Sequence, residues 1–184
     1  MVRSFFALAG ASILVVAATM AGEAQVKRLG PDASSEDFIR GLIPPTGAPA
    51  VKYRGLRVLN SNPSDSAEAS GPAVNVDIKF ALNSATLSDE ARKTIEQMAG
   101  AMNSPQLAPY HFLIEGHTDS TGSAAYNLVL SKKRADTVRA FLIDNYQVAG
   151  DRLEAVGRGQ TKLADPSHPD SSINRRVEIV NLGN

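Results

Sequence analysis

The sequence IEGHTDSTGSAAYNLVLSKKR, residues 114–134, combines the end of a strand, a polar turn and the start of a long helix. The apolar residues 112–114 are typical of a buried strand. Gly116 and Gly122 bracket a turn whose side chains can hydrogen-bond backbone or ligand groups. Ser123 then fits the N-cap of the helix. Because such a helix start offers free backbone N–H groups and a positive dipole end, this place suits an anionic group such as a carboxylate.

The predicted helix adds polar side chains to the same place. On a 3.6-residue repeat, one stripe is apolar and is assigned to the core: Leu128, Ala135, Val138 and Leu142. Asn127 and Arg134 are seven residues apart and lie two turns apart on a neighbouring stripe. If the turn folds over that stripe, Asp119 converges with them on one small ligand. Since an aspartate can hold an ammonium and an arginine a carboxylate, the three predict a receptor for a zwitterionic amino-acid centre.

Three motifs of this region resemble those of the OmpA-like peptidoglycan-binding domain family. They are GHTD-x-x-G at residues 116–122, N-x-x-LS-x-x-RA at 127–135 and NRRVEI at 174–179, in the family's order and spacing. The resemblance covers residues 73–184. It implies that Asp119 and Arg134 hold the free amino-acid end of diaminopimelate in the peptidoglycan stem peptide.

The resemblance also implies supporting contacts to that ligand. The matching residues are Thr121, Asn127, Asn83 and Arg175. Side chains alternate across a strand, so only one of the neighbours Arg175 and Arg176 is expected to face the pocket. The family match selects Arg175, which leaves Arg176 as a predicted surface charge.

Composition excludes several classes of function. Lys+Arg and Asp+Glu both number 19, so the formal net charge is zero and no basic surplus indicates nucleic acid or anionic lipid as a partner. The sequence has no cysteine, which excludes disulfides, thiol nucleophiles and thiolate metal sites. It also contains no cysteine to carry the lipid of a bacterial lipoprotein.

Residues 1–24 are predicted to be a signal peptide. Arg3 supplies a positive start, residues 5–20 are mostly apolar, and Gly22 and Ala24 are small residues at the positions a signal peptidase reads. The alternative is an uncleaved membrane anchor, because the apolar run approaches the ~17–20 residues that span a bilayer. Under both alternatives the remainder of the chain is exported from the cytoplasm.

Residues 25–72 are predicted to be an extension and linker rich in Pro, Gly and Ser. A short helix is expected at 35–42, capped by Ser34 or Ser35, with a short strand at 51–59 and a linker from 60 to 71. The extension is either a spacer or a segment that docks on the domain, and it is a candidate for contacting an envelope protein partner.

Residues 73–184 contain the regular periodicity and are expected to fold independently. The predicted elements are a strand at 74–80, a helix at 88–102, a strand at 111–115, a helix at 123–146 and strands at 152–157 and 176–182. This order predicts an α/β (α+β) fold. It is a two-layer β-α-β-α-β-β sandwich with two long helices on one face of a mixed four-stranded sheet. The order of the strands in the sheet does not follow from the sequence.

The polar turn offers little for catalysis or metal binding. A metal site needs three or four converging ligands, and the His117–Asp119 pair has no second ligand pair at suitable spacing, so His117 is expected to bond within the turn. A triad of Ser120, His117 and Asp119 is excluded because three residues of one tight turn cannot take the required geometry. No catalytic residue, metal or cofactor is predicted.

The function predicted from the resemblance is non-catalytic, non-covalent binding of peptidoglycan. The expected location is the periplasm or cell envelope of a Gram-negative bacterium, with outer-membrane association. One alternative is an inner-membrane-anchored subunit that staples a motor or secretion assembly to the wall. Another is an interaction module that has lost its ligand. The sequence leaves the oligomeric state open.

Overall fold

The computed structural model describes residues 26–46, 71–78, 80 and 83–184. The predicted signal peptide, the strand predicted at 51–59 and most of the linker lie outside these residues. No helix in the described part of the chain is long and apolar enough to cross a membrane.

The sheet has five strands in the order β1-β2-β5-β3-β4. The strands are β1 (Lys27–Leu29), β2 (Ala73–Val76), β3 (His111–His117), β4 (Leu153–Gly159) and β5 (Val177–Gly183). β1 is parallel to β2, β3 is parallel to β4, and β5 is antiparallel to both β2 and β3. Strands β1 to β4 therefore point the same way, and their carboxyl ends meet the start of β5 along one edge. We term it the carboxyl edge.

Three helices cover one face of the sheet, and each has a serine N-cap. They are α1 (Ser35–Leu42), α2 (Asp89–Met102) and α3 (Ala124–Tyr146). Ser34, Ser88 and Ser123 each accept a hydrogen bond from a backbone N–H three residues on, which satisfies a donor of the first turn. The predicted caps of all three helices are confirmed.

The core lies between the helices and this face of the sheet. Its largest fully buried side chains include Phe38, Leu42, Ile95, Met98, Met102, Phe112, Ile114, Leu142 and Ile179. Ala135, Val138 and Leu142 of the predicted α3 stripe are buried, whereas Leu128 is half-buried. Leu128 lies where the helix backbone itself rests on the sheet.

Glycines allow α3 to approach β3 and β4 this closely. A Cβ at Gly116 would lie 2.1 Å from the carbonyl oxygen of Ser131, and one at Gly157 would lie 2.5 Å from the backbone nitrogen of Lys132. The contact is fixed by a hydrogen bond of 2.8 Å from the Gly159 N–H to Ser131 Oγ. Because the two backbones touch, the position of α3 over the carboxyl edge is rigidly set.

The β-α-β-α-β-β order and the two-layer arrangement are confirmed, but the predicted count of four strands is wrong. The fifth strand, β1, belongs to the extension and pairs with β2 in register from Lys27–Val74 to Leu29–Val76. With three residues it is too short for its alternation to be recognised. The helix predicted at 35–42 is confirmed as α1, and Leu29, Phe38 and Leu42 join the core. The described part of the extension thus docks on the domain.

Candidate functional site

Three charged side chains meet at the carboxyl edge, each carried by a different part of the fold. Asp119 lies two residues after β3, Arg134 lies in the middle of α3, and Arg175 lies two residues before β5. β3 and β5 are neighbouring antiparallel strands, so the end of one adjoins the start of the other. α3 crosses above them on the helix face. The topology therefore brings together residues separated by up to 56 positions.

Asp119 is an ionised carboxylate held by the turn. Its Oδ2 accepts a hydrogen bond of 2.7 Å from Arg175 Nη1, and its Oδ1 accepts one of 3.0 Å from the backbone N–H of Thr121. Burial raises the pKa of this carboxyl, but the hydrogen bonds from Arg175 and Thr121 outweigh burial and hold the pKa below its ordinary value. The turn consequently presents a negative charge at neutral pH.

Arg134 is a buried cation supported by the loop between β2 and α2. It is 8% exposed, its Nε donates a hydrogen bond of 3.1 Å to the carbonyl of Ser84, and its guanidinium lies 5.0 Å from the ring centre of Phe80. Burial and the charge of Arg175 lower the pKa of Arg134, while the charge of Asp119 raises it. Within the described residues, the two Nη groups of Arg134 have no hydrogen-bond partner. A planar carboxylate is the group that such a fork binds best.

Asn127 holds the turn in place. Its Nδ2 donates to the carbonyls of Asp119 and Thr121 at 3.3 and 3.0 Å, and to Gln160 Oε1 at 2.7 Å. These bonds connect the start of α3, the turn and the end of β4. Asn127 and Thr121 therefore hold the turn in the conformation that positions Asp119.

Asn83 lies in the loop between β2 and α2, next to the residue that supports Arg134. Its side chain is exposed and its backbone has a φ of 51°. Its neighbour Ser84 provides the carbonyl that binds Arg134. Of the six predicted ligand-binding residues, hydrogen bonds and neighbouring charges thus connect Asp119, Thr121, Asn127, Arg134 and Arg175. The role of Asn83 stays a prediction.

A cavity of about 390 Å³ opens beside Arg134 and Arg175. Its remaining lining residues are Arg28, Asp77, Ile78, Phe80, His117, Ser172 and Arg176. This volume falls within the range of ~300–1,000 Å³ that is usual for small-molecule sites. The cavity is therefore large enough for more than a single ion.

The prediction that Arg176 is a surface charge is wrong. Arg176 is 6% exposed, its Nε donates a hydrogen bond of 2.8 Å to Asn75 Oδ1, and its Nη2 lies 3.3 Å from Glu178 Oε2. Both Arg175 and Arg176 line the cavity. β5 begins only at Val177, so strict alternation does not apply to the two arginines.

A buried charged network lies beneath the cavity, on the face of the sheet away from the helices. Glu115 Oε1 accepts a hydrogen bond of 2.9 Å from Arg158 Nε, and Lys162 Nζ lies 3.4 Å from Glu178 Oε1. His117 Nε2 lies 3.8 and 3.7 Å from oxygens of Glu115 and Glu178. The prediction that His117 bonds within the turn is therefore wrong for its side chain, since the ring is buried in this network.

The same three side chains could ligate a metal ion in principle. One ligand atom each of Glu115, His117 and Glu178 lies within 4.8 Å of the others. The sequence pattern did not predict this set because Glu178 comes from the neighbouring strand. Three cationic side chains already pair with the two carboxylates, so their charge opposes the entry of a divalent cation. A salt-bridge network explains these residues better than a metal site.

His117 is neutral in this environment. Burial lowers its pKa well below the ordinary value of 6.5, and the charges of Arg176, Lys162 and Arg158 lower it further. The ring thus forms an uncharged part of the cavity floor.

Several residues of the site carry no local sequence signal for their role. Ser84 and Phe80 support Arg134, and Gln160 binds Asn127, through contacts that depend on tertiary structure. Asn174 is different, because it is the first residue of the NRRVEI motif. Its Nδ2 donates to the carbonyls of Asp165, His168 and Pro169 and so fixes the loop that leads into β5.

Comparison with known proteins identifies the matched region. The OmpA family model matches residues 79–176, a range that contains all six predicted ligand-binding residues. Outer membrane porin F of Pseudomonas aeruginosa is 38% identical over 107 residues, which are 57% of this chain and 30% of that protein. Outer membrane protein P5 of Haemophilus influenzae is 34% identical over 110 residues, which are 60% of this chain and 30% of that protein. The chain therefore spans about a third of the length of these curated relatives.

A solved structure shares the fold. The periplasmic domain of Helicobacter pylori MotB aligns with a TM-score of 0.53 at 22% identity, over 65% of this chain and 80% of that one. At this identity the match describes architecture alone.

Proposed function

The chain belongs to the OmpA family, and from this premise we propose that it binds peptidoglycan non-covalently and catalyses no reaction. The family is known for peptidoglycan association in cell-envelope proteins, and the relatives named above are outer membrane proteins. The proposed location is accordingly the cell envelope of a Gram-negative bacterium. The single observation that carries the proposal is a fixed carboxylate, Asp119, beside a buried guanidinium, Arg134, whose Nη groups bind no other described residue.

The proposed ligand group is the free amino-acid centre of diaminopimelate in the stem peptide. Its ammonium pairs with the Asp119 carboxylate, and its carboxylate takes two parallel hydrogen bonds from Arg134. Arg175 keeps Asp119 ionised and oriented, since it donates to Asp119 Oδ2. Asn127 and Thr121 hold the turn through hydrogen bonds to its backbone and to Asp119.

The expected single-site affinity is modest. A hydrogen bond to a charged group contributes roughly 1.5–3 kcal/mol net, and the cost of association offsets part of the sum. The cell wall presents the same stem peptide densely, so rebinding raises the effective affinity. A modest site is therefore sufficient to hold the protein on the wall.

Co-sedimentation with isolated peptidoglycan sacculi tests this function. Asp119→Ala and Arg134→Ala should each lose most of the bound fraction, because each leaves one end of the zwitterion desolvated without a partner. Lys132→Ala is the matched control. Lys132 lies on α3 next to this region but pairs with Asp136 on the exposed face, so this variant should bind like wild type.

Circular dichroism of each variant separates a lost site from a lost fold. Folded Asp119→Ala and Arg134→Ala variants that still sediment like wild type would show that this pair is not the wall-binding site. Release of soluble muropeptides from the sacculi would contradict the absence of catalysis. The membrane-anchored alternative depends on residues 1–24, which lie outside the described residues.

A further inference from the structure

The cavity at the carboxyl edge is also lined by a second group of charges. They are Arg28 of β1, Asp77, which follows β2, and Arg176, and we term this part of the lining the Arg28 end. The family match begins at residue 79, so Arg28 and Asp77 are contributed by parts of the chain outside it. Of these three residues, Arg28 is thus supplied by the extension that docks on the domain.

Strand register places these charges on one face of the sheet. Arg28 pairs with Asn75 of β2, and Asn75 pairs with Glu178 of β5. Val74 and Val76 are buried in the core, so Asn75 and its register partners face away from the helices. Arg176 donates to Asn75 Oδ1. Arg28 and Arg176 therefore flank the same asparagine, Arg28 from β1 and Arg176 from the residue just before β5.

The contacts of Arg28 hold it in place without using its whole guanidinium. Its Nε and Nη2 donate to the two carboxylate oxygens of Asp77 at 3.0 and 2.5 Å. Nη1 has no hydrogen-bond partner within the described residues. The strand is anchored by the next residue, Leu29, which is buried in the core. Arg28 is thus a preorganised donor at the cavity wall.

The balance of charge around the cavity is positive. Arg28, Arg175 and Arg176 each have a carboxylate partner, namely Asp77, Asp119 and Glu178. Arg134 binds a neutral carbonyl instead. Burial lowers the pKa of Arg176, the carboxylates of Glu178 and Glu115 raise it, and the charge of Arg28 lowers it. A zwitterionic ligand would not remove this excess, whereas a ligand with one more negative charge would.

We propose that the Arg28 end of the cavity is a second subsite that takes a carboxylate of the ligand's peptide, next to the zwitterionic centre held by Asp119 and Arg134. The inference rests on the proposed function. In the stem peptide the residue preceding diaminopimelate is a glutamate joined through its γ-carboxyl, so its α-carboxylate is free. This carboxylate is the group that the subsite recognises.

Calorimetric titration with two soluble tripeptides tests the subsite. One is L-alanyl-γ-D-glutamyl-diaminopimelate, and the other is the same peptide with the glutamate α-carboxylate converted to an amide. Wild type should bind the acid form about threefold to tenfold more tightly, the range expected for one partly exposed charge-assisted pair. Arg28→Gln should bind both forms equally, with the affinity that wild type has for the amide.

Lys27→Gln is the matched control for this test. It removes the same charge from the adjacent residue of β1, but Lys27 pairs with Asp37 of α1 and does not line the cavity. This variant should keep the preference of wild type for the acid form. Binding of the amide form by Arg28→Gln also shows that the variant is folded.

Each other outcome has a defined meaning. Equal binding of the two tripeptides by wild type would overturn the second subsite while supporting the proposed function. An Arg28→Gln variant that keeps the preference, or that weakens both forms alike, would also overturn the subsite. Failure of wild type to bind either peptide would overturn the proposed function itself, and the subsite with it.

Discussion

At the scale of single residues, the site depends on charges that are fixed by contacts to the backbone and to each other. The turn and Arg175 keep Asp119 ionised although it is mostly buried. Arg134 is oriented by a carbonyl and an aromatic ring, which leaves its charge uncompensated. Both groups are therefore charged at neutral pH, as a receptor for an ammonium and a carboxylate requires.

His117 makes the stability of the domain depend on pH. Its pKa in the folded state lies well below 6.5, because of burial and the neighbouring charges of Arg176, Lys162 and Arg158, whereas in the unfolded chain it is close to 6.5. Below pH 6.5 the unfolded chain binds a proton that the folded protein does not. The contribution of His117 to stability is thus fully present above pH 6.5 and is lost as pH falls toward the folded pKa.

Urea unfolding at pH 7.5 and pH 5.5 measures this effect. When the pH is lowered from 7.5 to 5.5, the free energy of unfolding of wild type should decrease. The decrease should be at most about 1.4 kcal/mol for each pH unit below 6.5. His117→Gln, whose side chain does not titrate, should show a smaller fall. Asp119 also has a lowered pKa, but its contribution is lost only as pH falls below about 4, outside this window. If the free energy of unfolding decreases equally in wild type and His117→Gln, His117 is not the cause of the pH dependence.

Motifs predicted the residues of the site that lie within one continuous segment or one family signature. Asp119, Asn127 and Arg134 follow from helical spacing after a polar turn, and the structure brings them together. The positions of Arg176 and Arg28 at the cavity could not be predicted from the sequence, for a physical reason. Their roles depend on the neighbours β2 and β5, and strand order cannot be read from one sequence.

At the scale of elements, the placement of α3 on the sheet sets the geometry of the site. Asn127 and Arg134 both project from α3, and the turn carrying Asp119 leads into it. The helix rests on backbone rather than on side chains at Gly116 and Gly157. A change there displaces several site residues at once.

Gly157→Ala should destabilise the domain and weaken binding to sacculi. The added Cβ would lie 2.5 Å from the Lys132 nitrogen and 2.7 Å from the Leu128 carbonyl oxygen, so α3 must shift. Overpacking of this kind costs about 1–3 kcal/mol. The measurement is urea unfolding beside co-sedimentation.

Gly30→Ala is the control for this element. Among the described residues, a Cβ at Gly30 meets no atom within 4 Å, and Gly30 has no positive φ, so stability and binding should stay near those of wild type. A Gly157→Ala variant as stable as Gly30→Ala would show that the close approach of α3 is not required.

Elements with caps and long periodic stripes were predictable, and short paired ones were not. Ser88, Ser123 and their apolar stripes define α2 and α3, because capping and burial are local signals. β1 has three residues, and its pairing with β2 connects positions almost fifty residues apart. Nothing within those three residues specifies such a partner.

At the scale of the whole molecule, the extension and the domain share one core. Leu29, Phe38 and Leu42 are buried against α2 and β2, and Asn181 Nδ2 donates a hydrogen bond of 2.8 Å to the carbonyl of Leu42. The boundary proposed at residue 73 therefore separates segments that pack together. Independent folding of residues 73–184 remains a proposal to be measured.

A fragment of residues 73–184 should be less stable than one of residues 26–184. Its free energy of unfolding should be lower by about 2–5 kcal/mol. Burying each large apolar side chain contributes about 1.5–3 kcal/mol, and the cost of ordering the extension offsets part of that gain. The measurement is the urea unfolding of the two fragments. Identical unfolding free energies would show that β1 and α1 add nothing to the core.

We propose that the domain recognises a zwitterionic amino-acid centre at the end of a wall peptide. Displacement of the protein from sacculi by two soluble stem tripeptides measures this recognition. One tripeptide ends in diaminopimelate, and the other ends in lysine, which keeps the ammonium but lacks the carboxylate that Arg134 is proposed to bind. The diaminopimelate tripeptide should release the protein, and the lysine tripeptide should not. Equal release by both peptides, or by neither, would contradict this proposal.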